Sequence, residues 1–241
     1  MGRGVVRGLR HPGATNSSND AASARRTRPE LNWVASMGGP LLVIPVSALQ
    51  EWSGCTESGM IIGDTDAPDD YDRACAVEDL ATVIDVGPAG TRALVLGDEP
   101  ARTCYLPERR AFVRWLAADS DAELLVAAER LLDDPTTEWE AAGVWETDGP
   151  AVLMDSAEAG ADLDRPYPDR PELPEQAPVA VAAGRWNIRA VQTTNEFPWV
   201  GVVQLAPERT AAVATSTADG SPRPYLRPTN PRHHQSPPRR Q

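Results

Sequence analysis

Apolar residues in this chain come in short runs, roughly four to eight residues long, each closed by Gly, Pro or Asp, and this punctuation restricts the fold more than any other feature. Runs of that length with frequent β-branched and aromatic members read as strands. They lie at 32–36, 41–46, 73–77, 82–86, 92–96, 103–106, 111–116, 138–145, 151–155, 186–193 and 200–205. Gly38-Gly39-Pro40 and Gly87-Pro88-Ala89-Gly90 are turn chemistry, and they predict that the first pair of strands and the pair 82–86/92–96 are antiparallel hairpins. One helix stands out over about 120–133. Ser120 and Glu123 have the spacing of a capping box, Leu124, Leu125, Ala128, Leu131 and Leu132 recur on one face, and Pro135 ends the pattern. A second helical piece at 47–52 is only a turn or two. Residues 161–178 contain Pro166, Pro168, Pro171, Pro174 and Pro178, which predicts an extended surface connection without a regular ladder. The expected fold is one α+β domain over 29–207, dominated by short antiparallel strands.

The two ends read differently. Residues 1–28 and 208–241 are rich in Arg with Gly/Ser or Pro and lack apolar periodicity, so both are expected to be disordered tails. Charge follows the same division. The net charge is -12, yet residues 1–28 carry +5 and residues 215–241 carry +4, leaving -21 on residues 29–214. All the basic residues are arginines, because the chain has no lysine, and His11, His233 and His234 all lie in the tails. A body without imidazole or ammonium groups cannot build a Ser-His-Asp triad, a His-ligated zinc site, a Schiff base or a Walker lysine. Its acidity also repels phosphate backbones and anionic membranes, so the body is not expected to bind nucleic acid or a membrane.

Cys55, Cys75 and Cys104 are too far apart for a Cys-x-x-Cys pair and are odd in number, so they are read as three reduced, largely buried thiols. That usage fits a cytoplasmic protein. The N-terminus has no apolar signal core, and the longest apolar run, residues 41–46, is far too short to span a bilayer.

The sharpest local feature is Asp64, Asp66, Asp69, Asp70 and Asp72 within nine residues. An EF-hand counted from Asp64 needs glycine at position 69 and glutamate at position 75, where this chain has Asp69 and Cys75. The segment therefore reads as a solvated acidic loop, an irregular divalent-cation site or a loop that meets a basic protein. Asp98 and Glu99 form a second acidic pair after an apolar strand, either a simple strand exit or paired carboxylates for acid/base work. Seven tryptophans lie in the body. Most are expected in the core, with one or two exposed as interface anchors.

Several blocks taken in order, NWVASMGGPLLVIPVSALQEWSGC at 32–55, DYDRACAVEDLATVIDVG at 70–87, ALVLGDEPARTCYLP at 93–107, FVRWLAADSDAELL at 112–125 and GVWETDGPAVLMDSAEAG at 143–160, resemble the immunity protein 21 family of bacterial polymorphic toxin systems. The resemblance implies a cytoplasmic antitoxin whose partner is a cognate toxin domain, with no cofactor, no metal and no catalysis. Among the matching positions, Trp33, Trp52 and Trp115 are expected as structural or interface aromatics, Gly38-Gly39-Pro40 as a turn, and Asp72 with Arg73 as a structural pair. Beside the resemblance, the acidic body suggests a basic toxin cleft, a nuclease being one candidate. The toxin contacts are then expected at Asp64, Asp66, Asp69, Asp70, Asp72, Asp98 and Glu99. Two other readings stand: a hydrolase using a carboxylate-bound metal, and a regulatory interaction protein unconnected with toxins.

Overall fold

The computed structural model describes residues 31–56, 68–97 and 100–208. The parts of the expected tails at 1–28 and 209–241, together with Asp64, Asp66, Asp98 and Glu99, lie outside the described residues. Eleven strands form two sheets in which every pairing is antiparallel: β1 (Trp33–Val34), β2 (Leu41–Pro45), β3 (Thr82–Val86), β4 (Thr91–Leu96), β5 (Thr103–Leu106), β6 (Ala111–Ala117), β7 (Glu140–Thr147), β8 (Ala151–Asp155), β9 (Gln176–Val179), β10 (Gly184–Thr193) and β11 (Trp199–Pro207). The first sheet has the order β1-β5-β6-β11-β10-β7 and the second β3-β4-β2-β8-β9. Two α-helices, α1 (Asp70–Cys75) and α2 (Asp121–Asp133), and 3-10 turns at Val46–Glu51 and Gly160–Asp162 complete the set among the described residues. The expected class, antiparallel strands with one long helix, is what the chain adopts.

Alternation along the strands divides the core into three layers. Leu41 and Val43 of β2 and Leu94 and Leu96 of β4 meet Phe112, Trp145, Ile188, Val203 and Leu205 between the sheets. Leu42, Ile44, Ala93 and Val95 point the other way, where Ala48, Trp52, Ala74 and Leu163 cover them. On the outer face of the first sheet, Cys104, Val113, Val200 and Val202 pack under Leu124, Leu125 and Ala128 of α2. A strand buried on both faces has no polar positions, which is why residues 41–44 form an unbroken apolar run. Buried indoles direct their N–H groups at carbonyls: Trp145 to Arg92 at 2.9 Å, bridging the sheets, and Trp186 to Ala182 at 3.1 Å.

The structure corrects four expectations. Residues 73–77 are not a strand. Asp69 caps α1 with Asp72 in a reciprocal capping box, so the backbone amides of 70–72 are drawn into helix. The segment around Gly38-Gly39-Pro40 is not a hairpin turn, because β1 pairs with β5 while β2 pairs with β4 and β8; it carries the chain from one sheet to the other. Residues 176–179 do join a ladder, since β9 sits at the edge of its sheet, where Pro178 removes no obligatory donor. Of the cysteines, all free, only Cys104 is buried; Cys55 is half-buried and Cys75 exposed. The hairpin predicted at Gly87–Gly90 is present between β3 and β4. At the start of α2, Ser120 accepts from the Glu123 amide at 3.3 Å as expected, while the Glu123 carboxylate reaches the Asp119 amide instead of that of Ser120.

Candidate functional site

The acidic segment that dominates the sequence closes on itself. Asp69 accepts hydrogen bonds from the Asp72 amide at 2.8 Å, the Thr56 amide at 2.8 Å and the Thr56 hydroxyl at 3.1 Å. Asp72 returns a bond from the Asp69 amide at 3.3 Å. Asp70 accepts from the Ser53 amide at 2.7 Å and pairs with Arg73, so the expected Asp72–Arg73 pair is replaced by one between Asp70 and Arg73. Arg73 in turn donates to the Asp85 carbonyl at 2.8 Å and lies 6.0 Å from the Trp52 ring. Trp52 is fully buried and its Nε1 donates to the Ser156 carbonyl at 3.0 Å.

Two glycines let these segments meet. A Cβ on Gly39 would stand 2.5 Å from the Tyr71 ring, and one on Gly160 would overlap the Leu49 carbonyl oxygen. Beside them, buried Asp155 accepts from the Met37 amide at 2.6 Å and the Ala157 amide at 2.9 Å. Residues 36–40, 52–56, 69–75 and 155–160 thus form one hydrogen-bonded knot over the second sheet.

The titration chemistry of the knot is quiet. Burial would raise the Asp69 carboxyl, but the bonds from Thr56 and Asp72 outweigh it and hold the group below the usual carboxylate range. Burial, then the charges of Asp69 and Asp72, pushes the Cys55 thiol up; burial does the same to Cys75, and it drives Cys104 to about 12. The Tyr71 hydroxyl, hydrogen-bonded to Cys75 and partly buried, is raised to about 12. Thiols held in the protonated form are poor nucleophiles. Among the described residues no group of three His, Cys, Asp or Glu side chains converges in a way that would hold a metal ion.

A groove of about 230 Å³ beside the knot is lined by Met37, Asp155, Glu158, Arg170, Glu172 and Glu175 among others. Two of its carboxylates are also engaged, Glu158 by the Tyr167 hydroxyl at 2.6 Å and Glu175 by the Ala35 amide at 2.7 Å.

Trp33 and Trp115 stand apart from this knot, at the β1–β5–β6 edge. Their rings meet edge to face at 5.8 Å, and the Arg102 guanidinium lies 4.5 Å from one and 5.6 Å from the other. Both are half-buried. The exposed tryptophan is Trp199, which was not among the expected site residues, and Phe197 two residues before it is exposed as well. The available signal was the stretch Asn195-Glu196-Phe197-Pro198, turn chemistry that contains an aromatic residue.

Among the described residues no helix is long and apolar enough to cross a membrane. No curated protein and no solved structure matches the chain. The model of one family does match, over residues 32–197, and its description is Immunity protein 21.

Proposed function

The chain belongs to the immunity protein 21 family, and from that premise we propose that it binds and neutralises the toxin domain of a bacterial polymorphic toxin system by presenting an acidic surface to a basic cleft. Family membership supports the immunity role and a protein partner in general. The finer reading rests on one observation, the net charge of -21 on residues 29–214, which contain no lysine or histidine. Such a surface imitates a phosphate backbone electrostatically, which makes a nuclease toxin the leading candidate.

Asp69, Asp70 and Asp72 contribute to this field although their oxygens accept internal bonds, because hydrogen bonding leaves the charge in place. Asp64, Asp66, Asp98 and Glu99 stay in the proposal on sequence grounds alone. The protein acts from the cytoplasm, as an inhibitor and not as a catalyst.

Co-expression with the cognate toxin domain, sought in the neighbouring reading frame, scored by survival of the host cell, tests the immunity role; death despite full expression would overturn it. Stopped-flow association with that purified domain tests charge imitation. The on-rate should fall about tenfold or more as salt rises from 50 to 500 mM. A flat salt profile with tight binding would remove the acidic surface from the proposal and leave immunity standing.

A further inference from the structure

The exposed large apolar side chains among the described residues are Met37, Val46, Val126, Leu173, Phe197 and Trp199. Met37 and Leu173 both line the groove beside the knot, and Val46 and Val126 lie on separate elements, as surface apolar residues commonly do. Phe197 and Trp199 stand together at the turn between β10 and β11, exposed by 53% and 43%. They project from a rigid support, because β10 and β11 share an eight-pair ladder and lie inside their sheet, flanked by β7 and β6. Exposing a Phe and a Trp two residues apart on one tip leaves apolar area in water, and Trp is the residue most enriched where interfaces concentrate their affinity.

Charge around the tip selects the occupant. Glu196 adjoins Phe197 in the turn and is exposed. Trp199 pairs with Ala117 at the end of β6, so the connection that holds Asp119 and leads into the first turn of α2, with Asp121 and Glu123, leaves from the same end of the sheet. The basic group there, Arg102, is already 3.4 Å from Asp121 and stacked between Trp33 and Trp115. An aromatic pair rimmed by carboxylates complements an apolar pocket rimmed by arginine or lysine. A second copy fits poorly, since a two-fold contact would set Glu196 and Asp119 against the same acidic rim. Anionic lipid and nucleic acid are repelled by it.

We propose that this tip is the anchor of the toxin complex, with Phe197 and Trp199 seated in an apolar pocket of the toxin domain and Glu196 and Asp119 meeting basic side chains around it. The proposal rests on the immunity reading and adds where and how the contact is made.

The test uses the full chain and the purified cognate toxin domain that the co-expression experiment identifies. In the double variant Phe197→Ser/Trp199→Ser, affinity should fall at least 100-fold, mostly through faster dissociation, while the thermal midpoint stays within about 2 °C of the parent. In Glu196→Arg/Asp119→Arg the loss should be about tenfold and fall mainly on the association rate. Hydroxyl-radical footprinting of the unmodified complex should protect Phe197 and Trp199, a readout that needs no variant to fold. Parent-like affinity of the double variant, or unprotected Phe197 and Trp199 in the complex, overturns the anchor and leaves the immunity reading intact. A parent chain that neither binds nor protects brings down both. A parent dimer in sedimentation equilibrium that the double variant abolishes assigns the tip to self-association and also overturns the anchor.

Discussion

The segment around α1 and the β10–β11 tip both carry acidic side chains at the surface, and they handle them in opposite ways. Around α1, Asp69, Asp70 and Asp72 turn inward to the amides of Thr56, Ser53 and one another, and the salt link to Arg73 completes the closure. At the tip, exposed Glu196 adjoins exposed Phe197 in the chain, and exposed Asp119 lies two residues past Ala117, the ladder partner of exposed Trp199. A third region, at the far end of the first sheet, resembles α1: Arg109 pairs with Glu129 at 3.2 Å and with Asp133, and Arg185 pairs with Glu146 at 3.1 Å and Glu208 at 2.6 Å. Where charge is balanced within the chain it holds segments together. Where it is left open beside apolar surface, it is suited to a partner. Single substitutions in the closed regions should therefore act mainly on stability, with toxin affinity changing by no more than about threefold through one charge of the acidic field, the reverse of what is expected at the tip.

The sharpest separation should come from Trp52→Ala. This indole is fully buried between the β2–β4–β8 face and α1, with its N–H on Ser156. Its removal should cost about 3–5 kcal/mol, read as a lower urea midpoint at unchanged slope. Gly39→Ala should follow at about 1–3 kcal/mol, since the added methyl meets the Tyr71 ring and one of the two must move. If either variant, while still folded, lost toxin binding 100-fold, the division between closed and open regions would fail.

Most of the strand pattern was legible because Gly, Pro and Asp bound each apolar run, and the long helix because its apolar face repeats over three turns. What escaped were features decided by partners distant in sequence. Residues 176–179 carry Pro178, which argues against a strand until the edge position beside β8 is known. Gly38-Gly39-Pro40 looks like a hairpin turn locally, yet β1 finds Cys104 and Thr103 seventy residues on and β2 finds β8 beyond those. For the candidate site, the density of Asp residues at 64–72 was visible, but not that the described carboxylates cap a helix. Among seven tryptophans the one pointer to Trp199 was the turn chemistry of Asn195-Glu196-Phe197-Pro198 just before it, because exposure at a turn is decided by the strands that the turn connects.

Asp69→Ala removes the α1 cap and the tie to Thr56, and should cost about 1–2 kcal/mol in chemical denaturation. The same residue predicts an acid dependence. Its folded-state carboxyl lies below the usual range, so the stability it contributes is fully present above the unfolded value, about 3.9, and is lost as pH falls through the lower folded value. In Asp69→Asn the cap oxygen remains but the titration does not, so the acid limb of the stability profile should be shallower than in the parent. An unchanged acid limb would mean that other carboxyls set it.

The smallest effect is expected where closure is most exposed. Arg109 links the β5–β6 turn to Glu129 and Asp133 of α2, but these side chains remain between 30% and 68% accessible. Water and salt screen such pairs, and holding long side chains in place has an entropic cost, so Arg109→Ala should lower stability by no more than about 1 kcal/mol. The loss should shrink further in 0.5 M salt, where exposed ion pairs weaken while buried packing such as that of Trp52 does not. Toxin affinity should stay within about threefold, because the change leaves the tip untouched and makes an already strongly acidic body more negative by a single charge. A larger affinity loss there, growing at low salt, would show that the far end of the sheet shares in binding, and the contrast with the tip would become one of degree.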